Sequence, residues 1–299
     1  MKIVVTGAFG FIGSHFVKYI FNLDDSIKIL VVDNLTYAAN RDNLKGVTYE
    51  WLNKDICNVT AIDLGEYDYL VNFAAESHVD NSIKDGKPFV RTNVEGTFNL
   101  LEVARQNPNL KKFIQISTDE VYGDMDDYGP GVLANEEFNI MGSSYYSSTK
   151  ASADLLVQAA GRTYGIPYLI TRTCNNYGEN QHKEKLLPTI INCIKNNAKI
   201  PIYGDGQNIR EWIHADDNSM IIFNLLNSNK TGVYNIGSGE RYTNLQIIEI
   251  IERILGYQLE LKFVEDRKGH DRAYGLSIKY TPILNHTLIK YLQISLATV

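Results

Sequence analysis

The chain has 299 residues, 44% of them hydrophobic and 21% charged, with a formal net charge of −6. That composition belongs to a globular protein with a sizeable core and excludes collagen-like and disordered chains. The acidic balance argues against a nucleic-acid-binding face, no run reaches the roughly 18 apolar residues of a membrane helix, and no basic segment with an apolar stretch opens the chain as a secretory leader would.

A cytoplasmic protein is therefore expected. Cys57, Cys174 and Cys193 are far apart, and neither they nor the six histidines show a metal-ligand spacing. Free thiols in a reducing compartment, and no metal, follow from that.

Short apolar runs at Lys2–Thr6, Ile27–Val32, Val47–Leu52, Tyr69–Phe73, Phe113–Ser117 and Tyr168–Thr171 alternate with helix-like stretches such as Phe11–Leu23, Phe89–Gln106 and Tyr145–Tyr164. Strands alternating with helices predict βαβ units, and right-handed crossovers wind them into a doubly wound parallel α/β sheet. From about residue 173 helical stretches (Leu186–Asn196, Asp216–Asn227, Asn244–Leu255) are spaced by longer polar segments. The expected division is a Rossmann domain over 1–172 and a smaller, interleaved lobe over 173–299. Ligands of such sheets bind beyond the carboxyl ends of the strands, so the lobe is expected to close over that edge.

Taken along the chain, three motifs carry chemistry. Gly7, Gly10 and Gly13 lie between the first strand and the first helix. Gly7 serves the tight turn, Gly10 the approach of a pyrophosphate and Gly13 close helix–sheet packing, with the helix N-terminus facing the negative charge. Asp33 ends the second strand, where a carboxylate accepts from the ribose hydroxyls and repels a 2′-phosphate, favouring NAD over NADP. Thr118-Asp119-Glu120 follows the strand at 113–117; two carboxyls there can act as acid and base if their surroundings separate their pKa values. Gly123–Gly142, with Asp124, Asp126 and Asp127, reads as a mobile loop of solvated acids, because the spaced ligand set of a calcium loop is lacking. Tyr146 and Lys150 stand four apart on one helix face. A free tyrosine has a pKa of about 10, and a neighbouring ammonium favours its phenolate.

The glycine spacing G-x-x-G-x-x-G is similar to that of the extended short-chain dehydrogenase/reductase family, and Thr118-Asp119-Glu120 in this setting resembles its dTDP-glucose 4,6-dehydratase subgroup. Epimerases of the branch lack the carboxylate pair, and other members carry Thr-Ser-Glu, so Asp119 is the discriminating residue. The stretches 33–38, 74–80, 175–178, 184–188, 201–206 and 266–272 resemble the same subgroup, in order, over about residues 1–276.

The resemblance implies a doubly wound fold and further NAD contacts at Phe11, Ile12, Asn34, Leu35, Thr36, Asp55, Ile56, Ala74, Ala75, Thr92 and Asn176, beside Tyr146 and Lys150. It implies a nucleotide-diphosphate sugar pocket with Ser77, Thr118, Asn175, Leu186, Pro201, Tyr203 and Asn235, in which Lys185, Arg210, Arg267 and His270 meet the phosphates or the nucleoside. The implied activity is C4 oxidation by Tyr146, elimination of water by Glu120 and Asp119, and reduction at C6 with tightly bound NAD. A homodimer through Phe89–Gln106 and Ala151–Tyr164 is also implied. The tail from Tyr280 to Val299 departs from the subgroup, although Leu284–Leu296 can still form a terminal helix. Alternatives are a UDP-sugar dehydratase, a 4-epimerase and a non-catalytic NAD-binding protein.

Overall fold

The computed structural model describes residues 1–280 and 283–297. Thr281, Pro282, Thr298 and Val299, which belong to the divergent tail, lie outside the described residues. The strands are β1 (Lys2–Thr6), β2 (Lys28–Asp33), β3 (Glu50–Asn53), β4 (Tyr69–Asn72), β5 (Lys112–Thr118), β6 (Tyr168–Thr173), β7 (Asn175–Tyr177), β8 (Ile200–Tyr203), β9 (Ile209–His214), β10 (Gly232–Ile236), β11 (Arg241–Thr243) and β12 (Leu261–Val264).

Seven of them form one sheet in the order β10-β6-β5-β4-β1-β2-β3, with every neighbouring pair parallel. The central strands are buried along their whole length, as in β4 and β5, because helices cover both faces. One layer packs Phe16, Val17 and Ile20 of the helix Phe11–Leu23 with Ile221, Ile222 and Leu225 of the helix Ala215–Leu226. The other packs Leu100, Leu101 and Ala104 with Val157 and Ala160. The chain order reverses beside β1, which has β2 on one side and β4 on the other. This is the switch point at which a doubly wound sheet opens a crevice for a ligand.

The elements that carry the chemistry have clear local causes. The helix Tyr145–Tyr164 starts with a reciprocal capping box between Ser144 and Ser147 and ends at Gly165 in the left-handed conformation. The stretch read as one helix over 89–106 is a rod with a defect. A turn at Lys87–Phe89 passes into a π-helical stretch, Val90–Gly96, before regular helix resumes at Thr97–Arg105. The wide turns let Asn93 reach out of the rod. Its Oδ1 accepts from Glu76 N at 2.9 Å, and its Nδ2 donates to Thr149 Oγ1 at 3.0 Å. The rod, the loop after β4 and the helix Tyr145–Tyr164 are tied at one residue. Pro88 only opens the rod, and no spacing announces the π-turns, which are set by tertiary fit.

After β6 the chain does not stay in a separate lobe. The helix Ala215–Leu226 and β10 return to the first layer, and β10 is the edge strand beside β6. β10 escaped the pattern reading because Gly-Val-Tyr-Asn-Ile is short and sits inside a polar stretch. The remaining C-terminal elements have their own core. The pair β8–β12 and the sheet β11-β9-β7 enclose Trp212, Ile247, Ile251 and Leu187. The terminal helix Leu288–Leu296, capped by Thr287, buries Leu288, Leu292 and Leu296 in the same cluster. No helix among the described residues is long and apolar enough to cross a membrane.

The segment 123–142, expected to be mobile, is tied down. Asp124 accepts from Asp126 N at 3.0 Å and Ala273 N at 2.9 Å, and from Arg272 N. Ala134 bridges to Leu276. Asp124 is thus a clip for the chain at 272–273, whereas Asp126 and Asp127 are exposed.

Candidate active site

A cleft of about 540 Å³ opens at the carboxyl ends of β1, β2, β4, β5 and β6 and is closed from the other side by the C-terminal elements. Its two ends have different chemistry.

At one end is a backbone cradle. Gly7 has φ +65°, and a Cβ there would lie 2.6 Å from Ala74 N; a Cβ on Gly13 would lie 2.5 Å from Gly7 O. Neither position has space for a side chain. Gly10 caps the helix without any side-chain group, so the first-turn N–H groups and the helix dipole face the cleft, an arrangement suited to a pyrophosphate. Asp33 braces the cradle from β2. Its Oδ2 accepts from Phe9 N at 3.0 Å and its Oδ1 from Leu35 N at 2.9 Å. Burial pushes its carboxyl up, and these two backbone bonds work against the rise. Both oxygens keep a lone pair for ribose hydroxyls.

Phe11, Ile12, Asn34, Thr36, Asp55, Ile56, Ala74, Ala75, Thr92 and Asn176 line the same end. Two of them are committed internally. Asp55 takes Arg91 Nη2 at 2.9 Å and Cys57 N at 2.9 Å. The amide of Asn176 donates to Thr173 Oγ1 and Cys174 O, and its oxygen accepts from Asn218. Leu35 departs from expectation. It has φ +51°, its side chain does not line the cleft, and its part is the N–H given to Asp33. The uncapped helix, the two positions without space for a Cβ and the braced carboxylate together fit NAD, which Gly7, Gly10, Gly13 and Asp33 would hold.

At the other end stand the ionisable residues. Thr118 closes β5, its hydroxyl accepting from Glu120 N at 3.3 Å and lying 3.2 Å from Asp119 Oδ1. Tyr146 projects from the helix Tyr145–Tyr164 and shares a hydrogen bond with Thr118. Burial first, then the charge of Glu120, pushes its phenol well above the usual value. Lys150, one turn on, is buried and donates from Nζ to Ile116 O at 2.6 Å. Burial brings its ammonium down to about 8, and Asp154 works against the fall.

The two adjacent carboxyls have different surroundings. Asp119 is 2% exposed. Burial, then Glu120 and Glu211, drive its pKa well up, and its Oδ2 is buried without a hydrogen-bond partner. Glu120 lines the cleft; burial raises it too, but Arg210, Lys185 and Arg267 all pull the other way. The two carboxyls at one strand end therefore differ in surroundings, Asp119 among like charges and Glu120 facing three cations. Asp119 stands behind Thr118 rather than on the cleft wall.

The cations sit where an anionic ligand would need them. Arg210 lies over the Tyr274 ring at 4.3 Å and donates to Asp271 O at 2.9 Å. Lys185 donates to Ser77 O at 3.2 Å, and Arg267 faces Asp80 at 3.6 Å. His270 is held by Asp266 at 2.6 Å, and burial, followed by the Arg267 charge, lowers it to about 4. It is a neutral donor or acceptor near pH 7, not a phosphate cation. Ser77, Asn175, Leu186, Pro201 and Tyr203 line this end as well. Asn235 does not. Its amide donates to Ala134 O and Ser277 O, its oxygen accepts from Tyr122 Oη, and it is 1% exposed. It is a brace behind the wall.

The sequence reading assigned no role to several lining residues: Tyr37, Glu76, His78, Glu184, Asp271 and Tyr274. Glu184 lies 3.5 Å from Tyr37 Oη, 3.2 Å from His182 and 3.7 Å from His78. It joins the loop after β2 to the segment before the helix Leu186–Lys195. Five of the six, all but Tyr274, lie inside stretches that carried the family resemblance, which was the available signal.

Away from the cleft, His214, Asp216 and His286 come within 4.8 Å of one another, a grouping that sequence spacing could not reveal. The rings of His214 and His286 are stacked at 4.0 Å and 18°. In that posture their in-plane lone pairs run parallel and do not converge on one ion. The group also sits at the N-terminus of a helix, where a cation is disfavoured.

With this geometry established, comparison with known proteins is direct. The pattern of the NAD dependent epimerase/dehydratase family matches residues 3–237. The chain is 45% identical over 293 residues to a low-salt glycan biosynthesis protein of Haloferax volcanii, covering 95% of this chain and 92% of that one. It is 39% identical to a dTDP-glucose 4,6-dehydratase of Haemophilus influenzae, covering 92% and 89%. Among solved structures, a dTDP-glucose 4,6-dehydratase of Streptomyces venezuelae with NAD and TYD bound superposes with a TM-score of 0.92 at 37% identity, covering 99% of this chain and 96% of the other. The strand order, the glycine cradle and these matches agree, and the chain belongs to the NAD dependent epimerase/dehydratase family.

Proposed function

We propose that the protein is an NAD-dependent nucleotide-sugar 4,6-dehydratase whose substrate is dTDP-glucose. The observation that carries this reading is the split pair at the end of β5, Asp119 buried beside like charges that push its carboxyl up and Glu120 faced by three cations. An epimerase, which only oxidises and reduces at C4, has no use for such a pair, and a mere NAD-binding module needs neither Tyr146 nor Lys150. Relatives that carry the dehydratase name support the reading.

Bound NAD supplies the acceptor for the C4 hydride and the hydride returned to C6. The chain supplies proton chemistry. Thr118 holds the C4 hydroxyl, and Tyr146 takes its proton, Lys150 stabilising the phenolate. The ketone at C4 makes the C5 proton acidic, and Glu120 removes it. The C6–oxygen bond breaks as the proton of Asp119 reaches the leaving hydroxyl by way of the Thr118 hydroxyl, 3.2 Å from Asp119 Oδ1, so water departs. Glu120 then returns a proton to C5. Arg210, Lys185 and Arg267 hold the diphosphate, arginine being suited to paired contacts with phosphate oxygens, and neutral His270 faces the nucleoside. The test is incubation with dTDP-glucose and, separately, UDP-glucose, without added cofactor. Loss of about 18 mass units, one water, from dTDP-glucose is expected. Loss from UDP-glucose alone would reassign the nucleotide, and no loss from either would remove the dehydratase reading.

Two further parts belong to this proposal. Val90, Phe98, Leu155 and Tyr164 stand exposed on the neighbouring rod and catalytic helix, an apolar face of the kind buried between subunits. Phe98→Asp with Leu155→Asp should turn a dimer into a monomer by sedimentation velocity, and a monomeric parent would contradict the homodimer. The unpaired thiols Cys57, Cys174 and Cys193 support a reducing, cytoplasmic setting. Recovery of the protein in a secreted fraction would speak against it.

A further inference from the structure

Beneath the catalytic helix lies a buried charge pair that the proposed cycle does not use. Asp154 follows Lys150 by one turn and Tyr146 by two, on the same face of the helix. It is 0% exposed, and its Oδ2 accepts from Arg172 Nε at 2.9 Å. Arg172, on β6, is 2% exposed and donates from Nη1 to Tyr122 Oη at 3.0 Å. The other oxygen of Asp154, Oδ1, is buried; burial raises the carboxyl, and Arg172, the Ser117 hydroxyl and Lys150 work against that rise. A buried ion pair is by itself weak evidence for a stabilising role. Lys150 is equally buried, and its Nζ is bonded to a carbonyl oxygen, that of Ile116. A carbonyl solvates an ammonium without neutralising it.

We propose that Asp154 is a positioning residue for the proton on Lys150: its carboxylate, fixed by Arg172, is the buried counter-charge that keeps the Lys150 ammonium charged beside Tyr146. The inference rests on the dehydratase reading for its assay. Burial lowers Lys150 to about 8, and Asp154 is the charge opposing that fall. The other ionisable groups around this part of the helix are Tyr146 itself, Asp119, Glu120 and Tyr122 from the turn after β5, and Arg172 from β6. The rod at 87–105 faces it with Phe89 and Asn93, which do not titrate.

The sign follows directly. Lys150 must be protonated to stabilise the phenolate, so turnover falls as pH rises through its pKa. Removing the Asp154 charge lowers that pKa and moves the alkaline limb to lower pH. Replacing Asp154 alone would strand Arg172, whereas removing both buried charges together is often tolerated. The variant is therefore Asp154→Asn with Arg172→Leu, assayed as holoenzyme for the pH dependence of kcat. The parent is expected to show an alkaline limb near pH 8. The double variant should show it shifted down by about one unit, the usual effect of losing a nearby opposite charge. Asp154→Glu keeps the charge and should stay close to the parent. A double variant that turns over with the parent's limb would overturn the proposal. So would a shift in Asp154→Glu as large as in the double variant, or a parent profile flat well beyond pH 8. A parent that turns over no nucleotide sugar at all would count against the dehydratase reading instead.

Discussion

Glu120→Gln is expected to bind NAD and nucleotide sugar, to oxidise the sugar at C4, and then to stall. Glutamine has the size of glutamate but cannot accept the C5 proton, and loss of a positioned acid–base group costs roughly 10²–10⁴ in rate. The first oxidation uses Thr118, Tyr146 and Lys150, none of which depends on Glu120 for its position. Glu120 also raises the pKa of Tyr146 through its negative charge, so neutralising it favours the phenolate and leaves the first step at least as fast. The expected observation is a rise in the absorbance of reduced nicotinamide on mixing with substrate, without water loss from the sugar. A variant that dehydrates at close to the parent rate would show that Glu120 is not the base.

Gly7→Val should abolish NAD binding and lower stability. Gly7 occupies φ +65°, and a Cβ would stand 2.6 Å from Ala74 N and 2.7 Å from Ala74 Cα. The left-handed conformation alone costs a side-chain-bearing residue about 1–2 kcal/mol, and here the backbone of the loop after β4 must also move. That loop carries Ala74 and Ala75 in the cleft and is tied through Glu76 to Asn93. The variant is therefore expected to purify without cofactor, with no turnover above background and a lowered Tm. Gly46→Ala is the control. Gly46 has φ +85° with no atom within 4 Å of an added Cβ, so it should lose about 1 kcal/mol of stability and keep NAD. Cofactor retained at the parent level in Gly7→Val would mean that the cradle is not the pyrophosphate site.

The sheet and the cradle were readable because their signals are local. Buried parallel strands are continuous apolar runs, and a turn with no space for a Cβ must be glycine. Tyr146 and Lys150 were readable because helical spacing alone puts them on one face. What could not be read depends on long-range packing. β10 finds its place only beside β6. In the π-turns at 90–96, Asn93 binds Glu76 and Thr149, partners that sequence spacing does not reveal. Asp119 and Glu120 were legible as a pair, and the resemblance implied Glu120 as base and Asp119 as acid, but the surroundings that would separate them were not legible. Arg210 arrives from β9, Lys185 from the start of the helix Leu186–Lys195 and Arg267 from the segment after β12, and only the folded chain aims all three at Glu120. Asn235, a substrate contact only by resemblance, has a placement that sequence could not give for the same reason, its amide being bonded to Ala134, Ser277 and Tyr122.

The most direct test of the cycle follows one hydrogen. dTDP-glucose carrying deuterium at C4 is converted by the purified holoenzyme without added cofactor, and the product is analysed by mass spectrometry and NMR. The account predicts a 4-keto-6-deoxy sugar that has lost one water and retains the label at C6, because the hydride taken from C4 is returned within the same site. A dehydrated product with no deuterium at C6, or a C4 epimer with its water intact, would contradict it.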